Sequence, residues 1–468
     1  MSYSTPFVLA LVPAAGYAFH MLRIACVGLL VAALAPQAFA NGRNPGTSTL
    51  HFRHGAETDI IAGMTFGVLI SHDSGATWRW MCEASVGYAG TYDPDYDWGP
   101  GTAPGSLFAT TFNGLKDNSD GCTFANSPAG TTFVSQVEIG PDGAVYYAAS
   151  DPADVKIYKS TDDGVSFTQS TTIPGSEDGD WWDSLVIAPS NAMRVYLSGY
   201  RLIAGQPRTQ FLFRSDDGGA TFTPMVQTGI TTTTNSAIDF VAVDPTNPDI
   251  AYVRVKQESA MGEGLYKTAN GGASGSWTHM LSENDSPLSL VVRADGSLVA
   301  GSPNLGMHTS TNGTAWADLT NPPHVNCLAR NSADEVWACT ANFDVPGGPP
   351  KDGYGIMKSS GNLSTWTPVL RFQDIMDPVA CPAGTAQEDQ CVLPYMAKPS
   401  VWCGLMMQLG ITSTSIPCAS FNADGAPIDG APVVVPPKGC CDTSGGGTTS
   451  ALVLGGFIVL IFGRRKRR

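Results

Sequence analysis

One short motif returns along the chain, and it restricts the fold more than any bulk property. Residues 71–80 read SHDSGATWRW. The pattern Ser-x-Asp-x-Gly-x-Thr/Ser-aromatic recurs in full as STDDGVSF at 160–167 and SDDGGATF at 215–222. DNSDGCTF at 117–124 keeps Gly121, Thr123 and Phe124. Three weaker copies follow: TANGGASGSW (268–277), TSTNGTAW (309–316) and SSGNLSTW (359–366). The copies start at 71, 117, 160, 215, 268, 309 and 359, at intervals of 46, 43, 55, 53, 41 and 50 residues. A period of that size marks propeller blades or another repeat array.

The flanking sequence selects the propeller. Short β runs such as SLVIAP, FVAVDP and SLVVRADG lie well upstream of the motif. A second set follows, including RVYLSGY, IAYVRVK and EVWACTA. A third runs straight into the motif (FLFRS, GLYKT, GMHTS, GIMKS), and a fourth begins at its closing aromatic (FTPMVQ, WTHML, WTPVL). Turn residues separate the four. The 52 glycines and 33 prolines, with only 14% charged residues, suit short strands and many turns. The expected fold is an all-β, seven-bladed β-propeller of four-stranded blades over residues 41–373.

The motif then falls in the hairpin between the third and fourth strands. The side chains of Asp73, Asp162 and Asp217 are placed to hydrogen-bond the turn's own amides. Gly75, Gly164 and Gly219 supply a positive φ, and Trp78, Phe167 and Phe222 pack into the blade. These residues resemble the Asp-box, or BNR repeat, of sialidases, sortilin-type receptors and xyloglucanase-like glycosidases. The resemblance implies a box at the blade periphery, structural in role, so function has to be sought elsewhere.

In propellers ligands meet the central mouth, where the first strands begin. Aligned on Pro189 and Pro245, Asp183 of WWDSLVIAP matches Asp239 of AIDFVAVDP. Paired carboxylates serve glycoside hydrolysis as acid and base or nucleophile. They also suit calcium as a cofactor, or they cap turns without further role. Trp181 and Trp182 either stack on sugar rings or wedge between blades. YDPDYDWGPG (92–101) gathers Tyr92, Asp95, Tyr96 and Trp98 on what reads as a loop, suited to sugar or calcium contact, or else a solvated insertion.

The sialidase comparison fails in detail. The Phe/Tyr-Arg-Ile-Pro segment is missing, since Arg53 is followed by His54 and Gly55. Arg79, Arg194, Arg201, Arg214, Arg254 and Arg293 match no arginine triad. The formal charge of −15 disfavours an anionic substrate and argues against nucleic acid. The expected role is a binding or scaffold module for a glycan or protein ligand, with no firm catalytic residue. The alternative is a neutral-glycan hydrolase of the xyloglucanase type that uses Asp183 and Asp239.

Both ends read as address signals. Within residues 1–40, Met21-Leu22-Arg23, the run IACVGLLVAALA and Ala38-Phe39-Ala40 form a complete secretory signal, so residues 1–20 read as an over-extended start. Cys26 leaves with that signal, and ten cysteines remain for an oxidising compartment. Cys82 with Cys122, and Cys327 with Cys339, are the expected pairs. Cys381, Cys391, Cys403 and Cys418 lie in a Cys-rich segment (374–420) of open connectivity, read as a cap or stalk base. A Pro/Gly-rich linker (421–447) follows, then a membrane or sorting segment (448–468) ending in RRKRR. Cys440 and Cys441, the apolar run and the basic tail resemble myxobacterial C-terminal sorting signals (MYXO-CTERM). The resemblance implies display on the surface of a Gram-negative cell.

Overall fold

The computed structural model describes residues 44–418, apart from 89–92, 101–105, 129, 131, 151–154, 260–261, 274–275, 345–347, 394–399, 413 and 417. Seven antiparallel sheets stand around an axis. Their first strands are Thr47–Phe52, Tyr96–Trp98, Val134–Ile139, Trp181–Ala188, Ala237–Val243, Ser289–Val292 and Cys327–Arg330. These open blades 1 to 7 in turn. Within each blade the next three strands follow outward in chain order.

Neighbouring first strands brace one another through side-chain oxygens. Asp95 accepts from the Val137 amide (3.1 Å) and Asp97 from the Ile139 amide (2.8 Å), joining blade 2 to blade 3. Ser184 accepts from the Phe240 amide (2.7 Å), joining blade 4 to blade 5. A buried amide left unpaired is costly, so these contacts hold the ring in register.

The motif hairpins show one repeated network. In blade 1 Ser71 Oγ donates to Asp73 (2.8 Å) and accepts from the Gly75 amide (2.9 Å), while the Thr77 amide donates to Asp73 (2.8 Å). Ser160, Asp162, Gly164 and Ser166 repeat it in blade 3, and Ser215, Asp217, Gly219 and Thr221 in blade 4. Hydrogen bonds from Ser166 and Ser160 pull the exposed Asp162 carboxyl down to about 2.

The sequence missed a second role of this hairpin. The motif glycines Gly75, Gly164 and Gly219 each face the preceding blade. A Cβ on Gly75 would lie 2.8 Å from Val369 and 3.2 Å from Trp337 of blade 7. On Gly164 it would lie 2.7 Å from Phe108 of blade 2, and on Gly219 3.2 Å from Tyr146 of blade 3. Some aromatics cross too: Trp277 Nε1 donates to the Val226 carbonyl of blade 4 and Trp316 Nε1 to the Met280 carbonyl of blade 5. The hairpin is therefore a spacer between blades as well as a local turn.

Each blade is built from its own consecutive strands, so no strand exchange closes the ring. A return segment does instead. Asp377–Pro378 adds a fifth strand, parallel to the outermost strand of blade 1. The Cys82–Cys122 pairing expected from sequence does not form. Cys82 bonds Cys391 and Cys122 bonds Cys381, tying blades 1 and 2 to the return segment. Cys327–Cys339 forms within blade 7, and Cys403–Cys418 within the return segment. The fully buried Gln387 donates to the Trp80 carbonyl and accepts from the Cys82 amide. A short helix, Val401–Leu409, seats Trp402 against Trp80 at 5.5 Å. This segment shares one core with blades 7 and 1.

Among the described residues no helix is long and apolar enough to cross a membrane. The segment expected to be a signal peptide, Cys440, Cys441 and the C-terminal apolar run lie outside the described residues.

Candidate functional site

First strands begin, and second strands end, at one end of the axis; the motif hairpins lie at the other. The first end holds a cavity of about 480 Å³ whose lining includes Asp95, Gln136, Trp181, Asp183, Asp239 and Lys256. A smaller space of about 370 Å³ adjoins it through Asp183 and Lys256 and reaches Arg208 and Glu263.

Asp183 and Asp239 meet in this cavity, but their surroundings differ. Asp239 accepts from Arg254 (2.7 Å) and pairs with Lys256 (3.1 Å). Arg254 is shared with Glu263 at 3.7 Å. Asp183 is 4.0 Å from Lys256, and its Oδ2 is buried with no hydrogen-bond partner among the described residues. Burial pushes the Asp183 carboxyl up to about 7; the Lys256 ammonium opposes the shift and the Asp239 carboxylate adds to it.

The two tryptophans divide. Trp182 is fully buried and packs in the core between blades 3 and 4, edge-on to Phe213. Trp181 stays partly exposed on the cavity wall and stacks on Phe133 at 4.7 Å. Phe133 in turn meets Phe112 at 5.2 Å, and Phe112 stacks with Tyr88 at 6.0 Å. This row of four rings runs from the connection after blade 1 to blade 4; Tyr88 is buried, and Phe133 and Trp181 line the cavity. Sequence reading missed Phe133, Phe112 and Tyr88, because they come from three separate connections.

The stretch read as a loop at 92–101 contains the first strand of blade 2, Tyr96–Trp98. Tyr96 and Trp98 are buried between blades 1 and 2, so neither offers a ring to a ligand at the mouth. Tyr92 lies outside the described residues. Asp95 does reach the cavity.

Below it, Asp95, Asp97 and Glu138 crowd one wall of the channel, with His51 3.9 Å from Asp95 and 4.0 Å from Asp97. Burial pushes Asp95 up to about 7 and Asp97 up to about 8, the latter helped by Asp95. Glu138 is raised well above its ordinary value by burial and by both aspartates. Burial holds the His51 imidazole down at about 4, so it is neutral near pH 7. Among the described residues no group of three or more His, Cys, Asp or Glu side chains is arranged to hold a metal ion.

These features define a seven-bladed β-propeller with an aromatic-walled, charged axial mouth. The chain matches no protein-family model and no curated protein. Among solved structures it is similar to an extracellular domain assigned to a hybrid two component system of B. thetaiotaomicron, with 15% identity and a TM-score of 0.47 over 70% of this chain and 39% of that one. It is similar to an ancestral GH74 enzyme, with 14% identity and a TM-score of 0.47 over 72% of this chain and 48% of the other. It is also similar to YCF48 from Cyanidioschyzon merolae, with 12% identity and a TM-score of 0.40 over 65% and 94%. The chain thus spans less than half the length of the first two.

Proposed function

We propose that this protein is an exported binding head that takes a glycan or protein ligand at its axial mouth and leaves it chemically unchanged. The row of rings from Tyr88 to Trp181 carries this reading, because it ends at the axial cavity lined by charged side chains. Partly exposed rings supply a stacking surface, and the polar groups beside them orient what stacks. The box aspartates at the opposite end are occupied by their own turns. Asp239 is committed to Arg254 and Lys256. The four disulfides among the described residues and the proposed signal peptide suit an oxidising, exported setting. Array profiling of the full chain against glycans and peptides tests the reading. Binding is expected to fall at least roughly ten-fold in Trp181→Ala with the melting temperature nearly unchanged. Unchanged binding would remove the mouth as the site.

A second reading is glycoside hydrolysis. It is favoured by Asp183, which retains a proton near neutrality beside a charge-paired Asp239. It requires turnover of a neutral oligosaccharide that Asp183→Asn and Asp239→Asn each abolish. Absence of turnover in the wild type leaves the binding role.

A further inference from the structure

We propose that the axial mouth recognises a cationic side chain, the lysine of a protein partner, held between Asp183 and Asp95 with its stem against Trp181. This assignment rests on the binding reading and names the chemistry of its ligand. Four observations support it. First, the cavity lining carries Asp93, Asp95, Asp183 and Asp239 against only Arg254 and Lys256. Both cations are engaged by Asp239, and Arg254 also by Glu263. Second, the Asp183 side chain is only 10% exposed and lines both spaces, yet its Oδ2 has no hydrogen-bond partner among the described residues. A buried carboxylate oxygen accepts only, and an ammonium brings three donors. Third, the Phe133–Trp181 stack forms a wall that suits a methylene stem and a cation over a ring. Fourth, the chain's charge of −15 draws cations from a distance.

The surroundings of the two carboxylates differ, cationic at Asp183 and acidic at Asp95. Asp183 faces Lys256, Asp239, Arg208 and Arg254; Asp95 faces His51, Asp97 and Glu138. Burial raises Asp183 and Asp95 to about 7 each, Asp95 even though it accepts from the Val137 and Tyr96 amides. An entering ammonium favours the ionised carboxylates and expels their protons. A metal ion fits less well, since no three-ligand cluster exists among the described residues.

The test uses the full chain and calorimetric titration at pH 7 with three probes: an N-acetylated trilysine amide, the same peptide with every side chain acetylated, and cellotetraose. The charged peptide is expected to bind and to release protons, so its heat differs between buffers of different ionisation enthalpy. Side-chain acetylation and Asp183→Asn should each weaken it at least roughly ten-fold. Lys256→Met removes the competing cation and should tighten it, an outcome misfolding cannot imitate. Equal affinity for charged and acetylated peptides overturns the assignment, as does an unaffected Asp183→Asn protein. Cellotetraose binding that depends on Trp181, without peptide binding, overturns it while keeping the mouth as the binding site. If no probe binds and the arrays find no Trp181-dependent ligand, both readings fall.

Discussion

The two ends of the propeller use the same residue type in opposite ways. At the hairpin end, Asp73, Asp162 and Asp217 each collect hydrogen bonds from their own turn, and burial is slight. At the mouth, the Asp183 side chain is only 10% exposed and Asp95 and Asp97 sit with like charges. Repetition explains the contrast. A feature needed in every blade serves the fold, whereas the mouth departs from the repeat and gathers unlike residues from five blades. Changes at the hairpin end should therefore cost stability, and changes at the mouth should cost binding.

The strongest test of that division is Gly164→Ala. Its φ is +83° and a Cβ would meet Phe108 at 2.7 Å, so unfolding should become easier by about 2–4 kcal/mol in denaturant titrations. Gly175→Ala is the control: φ is similar at +75°, nothing lies within 4 Å, and about 1 kcal/mol is expected. A similar loss at both sites would leave the turn conformation as the whole explanation and remove the spacer role. Next, replacing Cys122 and Cys381 by serine should lower stability by about 2–4 kcal/mol, because the bond spans 259 residues and holds blade 2 to the return segment.

Ser160→Ala comes next, at about 1–2 kcal/mol, since it strips the Gly164 amide of its acceptor. A thermal melt that does not move would show that water replaces the hydroxyl. The smallest effect is on pH. Asp95, Asp97 and Asp183 have folded values raised to about 7, 8 and 7, so the folded state binds more protons than the unfolded state above pH 4. Stability should therefore rise as pH falls from 8 to about 6.5. Below that, His51, held down at about 4, works in the opposite direction as the unfolded imidazole gains its proton. Asp97→Asn should flatten the upper slope, and a wild-type melting temperature that rises with pH over this range would contradict the buried-carboxyl account.

The blades were legible in the chain because each is made of consecutive strands with a self-signalling turn. The spacing of the proline-ended strands aligned Asp183 with Asp239, and both line the axial cavity, although Asp239 pairs with Arg254 and Lys256 instead. Blade 2 was harder to read. Its first strand is three residues long and contains Asp97, a residue type that strands disfavour, so the stretch resembled a loop. The cysteines misled for another reason. Nearness in sequence favoured Cys82 with Cys122, but the return segment brings Cys391 and Cys381 to them instead.

What the amino-acid order determined alone is the number of blades and the internal bonding of their hairpins, because hydrogen bonds within a few residues need no distant partner. Tertiary structure decided which blade each box glycine presses on, how the ring closes, and which carboxylates share the mouth. Those outcomes join residues such as Cys82 and Cys391, 309 positions apart, and only the assembled ring sets that distance.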